Sequence, residues 1–250
     1  DKNGFVLAKT TTPGNVHDSV AFFEVYNTLN KKFKDQIKNV CLDAGYVNPA
    51  ICREIILNGH TPLMPYKRPM TSKEFFKKYE YAYDEYYDCY ICPNNEVLSY
   101  STTDKNGYKQ YKSNPDKCAN CPLKDRCTKS KNHQKIILRH IWEEYKEQAN
   151  ENRYTQNWKD NYPKRKETIE RVFGDCKEQH NLRFTRVRGL LKNEQNTTLI
   201  FACHNLKKMA NWRWKKPSNQ PLIMSTFIKI SKLFKKRGIF LFEHAPLSTT

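Results

Sequence analysis

Three charged residues stand where their types and spacing could do chemistry. Asp43 closes a short apolar run, Val40-Cys41-Leu42, and opens the turn Ala44-Gly45-Tyr46. Ligands of open α/β sheets gather at the C-terminal ends of strands, so a carboxylate there can hold a cation. The same carboxylate could instead bond its own turn backbone. Glu170 and Lys177 lie seven residues apart in a helical pattern. At about 100° per residue they differ by only about 20° around the axis. Lys166, four before Glu170, falls on the same side. A carboxylate flanked by cations suits a metal-bound phosphate, and it also describes an ordinary solvated face of i,i+4 pairs.

A second constellation is made of thiols. The chain has nine cysteines, and five fall between residues 89 and 127. Cys92, Cys118-x-x-Cys121 and Cys127 give four ligands of the kind that tetrahedral zinc takes, and Cys89 forms a further Cys-x-x-Cys with Cys92. Such a metal can fold a small segment that lacks its own core. The alternative is a set of unligated, reduced thiols. Cys41, Cys52, Cys176 and Cys203 read as small apolar residues.

These residues need elements to carry them. Asp1-Lys2-Asn3-Gly4 reads as a hairpin turn leading into a strand at 5–8, because Asn-Gly tolerates positive φ. Only the second strand of that hairpin is present, so the chain is expected to begin in mid-sheet. After Pro13-Gly14-Asn15 a helix is predicted over 16–32, then a strand over 36–42 ending at Asp43. Asn48 and Pro49 suit the cap and first turn of a helix running to Leu57, which Asn58-Gly59 ends. A strand follows at 61–65. Strands alternating with helices indicate an α/β layer.

From about 66 to 133 the pattern changes to polar residues, tyrosines and cysteines, read as an inserted subdomain of short strands and loops. A strand at 134–139 is expected to resume the core. A short helix at 142–148 and an amphipathic helix at 163–180 follow, the latter with Ile169, Val172, Phe173 and Cys176 on one face. Another helix spans 190–212, and a basic tail contains an amphipathic stretch at 223–236. The divisions are therefore 1–65 and 134–212 for the core, 66–133 for the insertion and 213–250 for the tail.

Three motifs resemble, in order, those of bacterial insertion-sequence DDE transposases. They are Thr12-Pro13-Gly14-Asn15-Val16-His17-Asp18, Val40-Cys41-Leu42-Asp43-Ala44-Gly45-Tyr46, and Arg165-Lys166-Glu167-Thr168-Ile169-Glu170-Arg171-Val172-Phe173-Gly174-Asp175-Cys176-Lys177. The resemblance spans roughly residues 1–212. It implies an α/β, ribonuclease-H-like mixed sheet with flanking helices, interrupted by the cysteine-rich insertion before the glutamate helix. It implies Asp43 as the second catalytic aspartate, Glu170 as the catalytic glutamate and Lys177 as the lysine that follows it. The family pattern has Tyr, two residues, Arg, three residues, then Glu. Here Pro163 and Lys166 occupy the Tyr and Arg positions, and Tyr162 and Arg165 each miss by one. The first carboxylate is expected on a strand upstream of residue 1. Asp18 is read as a helix cap instead.

The implied activity is DNA cleavage and strand transfer at the ends of a mobile element. Two magnesium ions, or manganese, held by hard carboxylate oxygens would clamp the attacking and leaving oxygens of a phosphodiester. A lysine or arginine would grip a phosphate. The implied partners are DNA ends, target DNA and a second copy of the chain in a synaptic complex. The alternatives are a zinc-containing DNA-binding remnant without catalysis and a nuclease of the same fold.

Composition agrees with a polyanionic partner. The 250 residues carry a net charge of +18. Residues 151–216 hold 16 Lys and Arg against 7 Asp and Glu, half of that excess. Within it Lys166, Arg183, Arg186 and Arg188 are the expected phosphate contacts. There is no secretory signal in the given residues and no apolar run of about 18 residues, so a cytoplasmic, nucleoid-associated protein with reduced thiols is expected. Without its first strand and first carboxylate, this chain by itself is expected to be inert and poorly stable.

Overall fold

A computed structural model describes residues 1–214, and the tail reading at 223–236 lies outside them. The chain divides into two compact units. One is Gly14–Arg165. The other combines Asp1–Pro13 with the segment from Lys166 onward.

The Gly14–Arg165 unit opens with helix α1 (Asp18–Phe33). His17, not Asp18, is its cap: His17 Nδ1 accepts the Ser19 N–H at 3.2 Å. Asp18 is the first residue inside the helix, where the dipole favours its charge. Phe22 and Tyr26, one turn apart, are buried. Strand β1 (Asn39–Cys41) runs parallel to β2 (Thr61–Leu63), in register Asn39 to Thr61. Helix α2 (Pro49–Leu57) makes the crossover between them. Its ends are those read from the sequence. Asn48 Oδ1 accepts the Ala50 N–H at 2.9 Å, Pro49 fills a position that needs no donor, and Gly59 leaves in the left-handed region at φ +79°. Ile51, Cys52 and Ile55 project from α2 into a core shared with Phe22, Tyr26, Val47, Met64 and Ala149. Ala149 comes from helix α5 (Glu143–Glu151), which packs on α2.

The same unit holds a five-stranded antiparallel sheet in sequential order: β3 (Ala82–Asp84), β4 (Cys89–Ile91), β5 (Val97–Thr103), β6 (Tyr108–Ser113) and β7 (Ile136–His140). Helices α3 (Pro115–Ala119) and α4 (Lys124–Cys127) lie in the connection from β6 to β7. The strand expected to resume the first sheet is therefore the last strand of this one, with Ile137 opposite Tyr111. Sequential neighbours pair more often than distant ones, and Ile137 alternates with outward residues as a half-covered strand should. Tyr81, Tyr90, Leu98, Tyr111 and Ile137 form the covered face, with Phe76.

A carboxylate ties this aromatic face together. Asp88, in the β3–β4 turn at φ +45°, accepts Tyr83 Oη at 2.7 Å, Tyr111 Oη at 2.6 Å and Lys109 Nζ at 3.0 Å. Burial alone would raise its pKa, but the bonds from Tyr111, Tyr83 and Lys109 outweigh that and bring it down to about 2.

The other unit is built on helices α7 (Arg171–Gln179) and α8 (Leu190–Trp214), which enclose Val172, Cys176 and Ile200 with Val6 and Leu182. No strand forms at 5–8. Residues 1–4 make a turn closed by Gly4 N–H to Asp1 O at 3.0 Å, with Gly4 at φ +75°. A Cβ on Gly4 would stand 2.9 Å from Lys208 Nζ. The chain then runs along α8, where the Asn205 side chain accepts the Val6 N–H at 2.9 Å and donates to Val6 O at 2.8 Å. A side-chain amide thus meets both backbone groups that a neighbouring strand would satisfy.

The helix expected over 163–180 is three pieces. Tyr162–Arg165 is a 3-10 turn, Lys166–Glu170 a π turn, and only α7 is α-helical. A count at 3.6 residues per turn does not register a π turn, whose bonds run from i to i+5. Val172 and Cys176 are buried as expected, whereas Ile169 and Phe173 are 41% and 44% exposed.

Asp88→Asn tests the sheet network, since asparagine tolerates positive φ and keeps one acceptor oxygen. Asp88 is partly exposed, so we expect a loss of about 1 kcal/mol at pH 7. A carboxylate with a depressed folded pKa stabilises above its unfolded value of about 3.9 and loses that effect as pH falls toward about 2. Melting curves of the two proteins should therefore converge between about pH 4 and pH 2. A gap that stays constant over that window would place the effect elsewhere.

Candidate active site

Asp43 stands at the end of β1, where the backbone must turn. It caps the 3-10 turn Ala44–Tyr46: its Oδ1 accepts the Gly45 N–H at 2.9 Å and its carbonyl accepts the Tyr46 N–H at 3.2 Å. A Cβ on Gly45 would lie 3.1 Å from Asp43 Oδ1, so glycine leaves the carboxylate room. The turn-bonding reading of this residue is thus met. One oxygen serves the turn, and the residue is exposed to solvent.

A ladder of side chains leads from β2 to a cation beside that strand end. Asn39 and Asn157 exchange amide bonds at 2.9 Å each way. Trp158 Nε1 donates to Met64 O at 3.0 Å, just beyond β2. The Trp158 ring stacks on Tyr162 with centroids 4.7 Å apart and planes 10° from parallel. Tyr162 Oη accepts Arg165 Nη1 at 3.1 Å. Arg165 Nε is buried with no partner. An unmet buried donor costs about 1–3 kcal/mol, which an anion could relieve.

The electrostatics place these groups together. Burial raises the Cys41 thiol pKa, and Arg165 and then Lys164 pull it back. Burial also raises the Tyr46 phenol, Asp18 and Asp43 raise it further, and Arg165 opposes them. The end of β1 therefore brings together two carboxylates, Asp18 and Asp43, and the guanidinium of Arg165. Asp18 belongs here because the N-terminal part of α1 packs by the turn that Asp43 caps, with Phe22 and Tyr46 rings 6.3 Å apart. Sequence reasoning set Arg165 aside for missing a spacing by one, although Tyr162-x-x-Arg165 was there to be read.

In the other unit Glu170 is the last residue of the π turn, directly before α7, and is exposed. Lys177 lies in the last turn of α7, also exposed, where a cation is favoured. Neither makes a hydrogen bond or ion pair among the described residues, and the same holds for Lys166, Arg186 and Arg188, all exposed. Arg183 differs, because it pairs with Glu178. The i→i+5 bonding of the π turn lets a spacing of four residues between Arg165 and Glu170 occupy one turn, as a spacing of three does in an α-helix.

All nine cysteines are free thiols. Cys52 and Cys176 are buried as expected of small apolar residues, but Cys203 is exposed. Among the described residues no three His, Cys, Asp or Glu side chains are gathered as a metal site. No helix among them is long and apolar enough to cross a membrane.

Residues 91–210, just under half of the chain, match the family described as "Transposase DDE domain". That match is consistent with a DDE transposase and with the motif series read from the sequence. The matched stretch contains Cys92, Cys118, Cys121, Cys127, Arg165, Glu170 and Lys177, and begins after Asp43. Searches of curated proteins and of solved structures find no match. DDE domains generally use divalent metal ions and act on DNA.

Arg165→Met keeps the stem and removes the charge that lowers the Cys41 thiol. The Cys41 pKa should rise, so its alkylation at about pH 8, followed by peptide mass spectrometry, should slow several-fold relative to Cys203. Equal rates in the two proteins would separate Arg165 from the end of β1.

Proposed function

We propose that the chain is part of a transposase that cleaves DNA at element ends and joins it to a target in a metal-dependent reaction. The observation that carries this reading is the strand-end carboxylate Asp43 beside Arg165, in a chain whose later half matches the DDE domain. The parallel β1–α2–β2 unit is compatible with a ribonuclease-H-like sheet. Hard oxygen donors suit magnesium or manganese, and the carboxylates present are of that kind. Asp43 and Glu170 are each proposed as metal ligands. The metal would polarise the scissile phosphate and activate water or a 3′ hydroxyl.

The remaining roles belong to the chain's own cations. Arg165, with its fork partly held by Tyr162 and its Nε unmet, would orient a phosphate bidentately. Lys177 would neutralise charge on the same strand of DNA. Lys166, Arg186 and Arg188, exposed and unpaired, would track the DNA backbone, with Arg183 joining once it leaves Glu178. DNA ends, target and a second copy of the chain are the proposed partners. A zinc-containing DNA-binding remnant without catalysis is the competing reading, and it predicts binding without cleavage.

Two experiments test this. Asp43→Asn retains a good turn cap, so its melting temperature should hold while magnesium-dependent cleavage of element-end DNA falls by at least about a hundredfold, as removal of a metal ligand does. Glu170→Gln should do the same. Near-normal cleavage by both variants would rule out the assignment. For the backbone contacts, Arg186→Ala with Arg188→Ala should shallow the slope of log K against log salt by about 2, roughly one per lost phosphate contact. An unchanged slope would move the DNA surface away from these residues.

A further inference from the structure

The connection from β6 to β7 has too little core to account for its own order. Between Asn114 and Ile136 no residue is fully buried. Its two helices, α3 and α4, have five and four residues, well below the length at which a helix is stable alone. Leu123 and Cys127 are the apolar residues of this segment that pack against the sheet's aromatic cluster, beside the cations Arg126 over Phe76 and Lys135 over Tyr81. Small segments of this kind are commonly fixed by a cross-link or a metal.

Thiols occupy the points where a staple would act. Cys92 sits in the β4–β5 turn, where its carbonyl accepts the Asn95 N–H at 2.8 Å and its Sγ accepts the Glu96 N–H at 3.4 Å. Cys118 and Cys121 follow one another across the end of α3, with the Cys121 N–H on Cys118 O at 3.3 Å. Cys127 ends α4, and its Sγ lies 3.3 Å from Tyr81 Oη. Cys92 and Cys127 both lie against the aromatic cluster that contains Tyr81. Backbone N–H and phenol donors to sulfur can hydrogen-bond a metal-bound thiolate and hold it in place.

We propose that Cys92, Cys118, Cys121 and Cys127 bind one structural zinc ion that fastens α3 and α4 to the edge of the β4–β5 hairpin. Binding exchanges four S–H bonds for four Zn–S bonds and releases up to four protons, leaving a site of net charge −2. Lys117, Lys124, Arg126 and Lys135 surround it in sequence, and Lys135 Nζ already donates to Cys127 O at 3.0 Å. The four thiols are not gathered as a metal site in this structure; Cys118 Sγ stands 3.2 Å from Ser113 Oγ, and binding would require it to leave that serine. This site does not depend on the transposase reading.

The test uses the full chain, reduced and purified without chelator. Elemental analysis should find about one zinc per chain. Cobalt(II) added to the metal-free protein should give thiolate charge-transfer absorption and the d–d bands of a tetrahedral site, which zinc then displaces. Each of C92S, C118S, C121S and C127S should weaken cobalt binding at least tenfold, and C203S should leave it unchanged. Chelation should speed tryptic cleavage between residues 114 and 135 at least tenfold. Absence of the cobalt thiolate bands in the wild-type chain would overturn the proposal even if a serine variant fails to fold. So would an equal effect of C203S, or tryptic cleavage indifferent to chelator.

Discussion

The candidate site depends on one pairing, that of two three-residue parallel strands. β1 and β2 share only a few ladder bonds, continued by the Leu42 N–H on Leu63 O at 3.1 Å. A sheet this small does not stand by itself. It is held by α2 crossing over one side, by the α5 packing that contributes Ala149, and by the amides and indole of residues 152–158 gripping the strand ends. The last of these contacts also sets the direction of the chain toward Arg165. Whatever holds β2 in place therefore fixes the distance between the cation and the Asp43 carboxylate.

The parts legible in the sequence were those in which a local signal and the packing agree. Asn48-Pro49 and Asn58-Gly59 delimit α2 because capping and positive φ are properties of a few residues. The end of β1 was legible for the same reason, since an apolar run meets Asp-Ala-Gly-Tyr. The partner of a strand is not a local property. Ile136 to His140 reads as a strand anywhere, and only Tyr111, far back along the chain, decides that it joins β6. The run after Gly4 has strand composition, yet the acceptor and donor that meet Val6 belong to Asn205.

The candidate site divides in the same way. Asp43, Glu170 and Lys177 could be named from motifs, and the local structure gives each the exposure that its proposed role needs. Tyr162-x-x-Arg165 is legible too, but four residues separate Arg165 from Glu170 where the motif has three. Asp18 was taken for a cap until His17 proved to accept the first free N–H of α1, which leaves the Asp18 carboxylate for the region of Tyr46. Cys92, Cys118, Cys121 and Cys127 and strands β5 to β7 lie within the matched stretch, whereas β3 and most of β4 precede it.

The π turn has a consequence for how such a helix changes over generations. Inserting one residue into an uninterrupted α-helix rotates everything beyond it by about 100°. Val172 and Cys176 would leave the core, and the helix would have to be repacked. A wide turn at Lys166–Glu170 takes up the additional residue locally, so the helix beyond it keeps its buried face. A gene can therefore gain or lose a codon in this stretch while its protein still folds, and sequence spacing in such proteins is a looser ruler than the geometry it encodes.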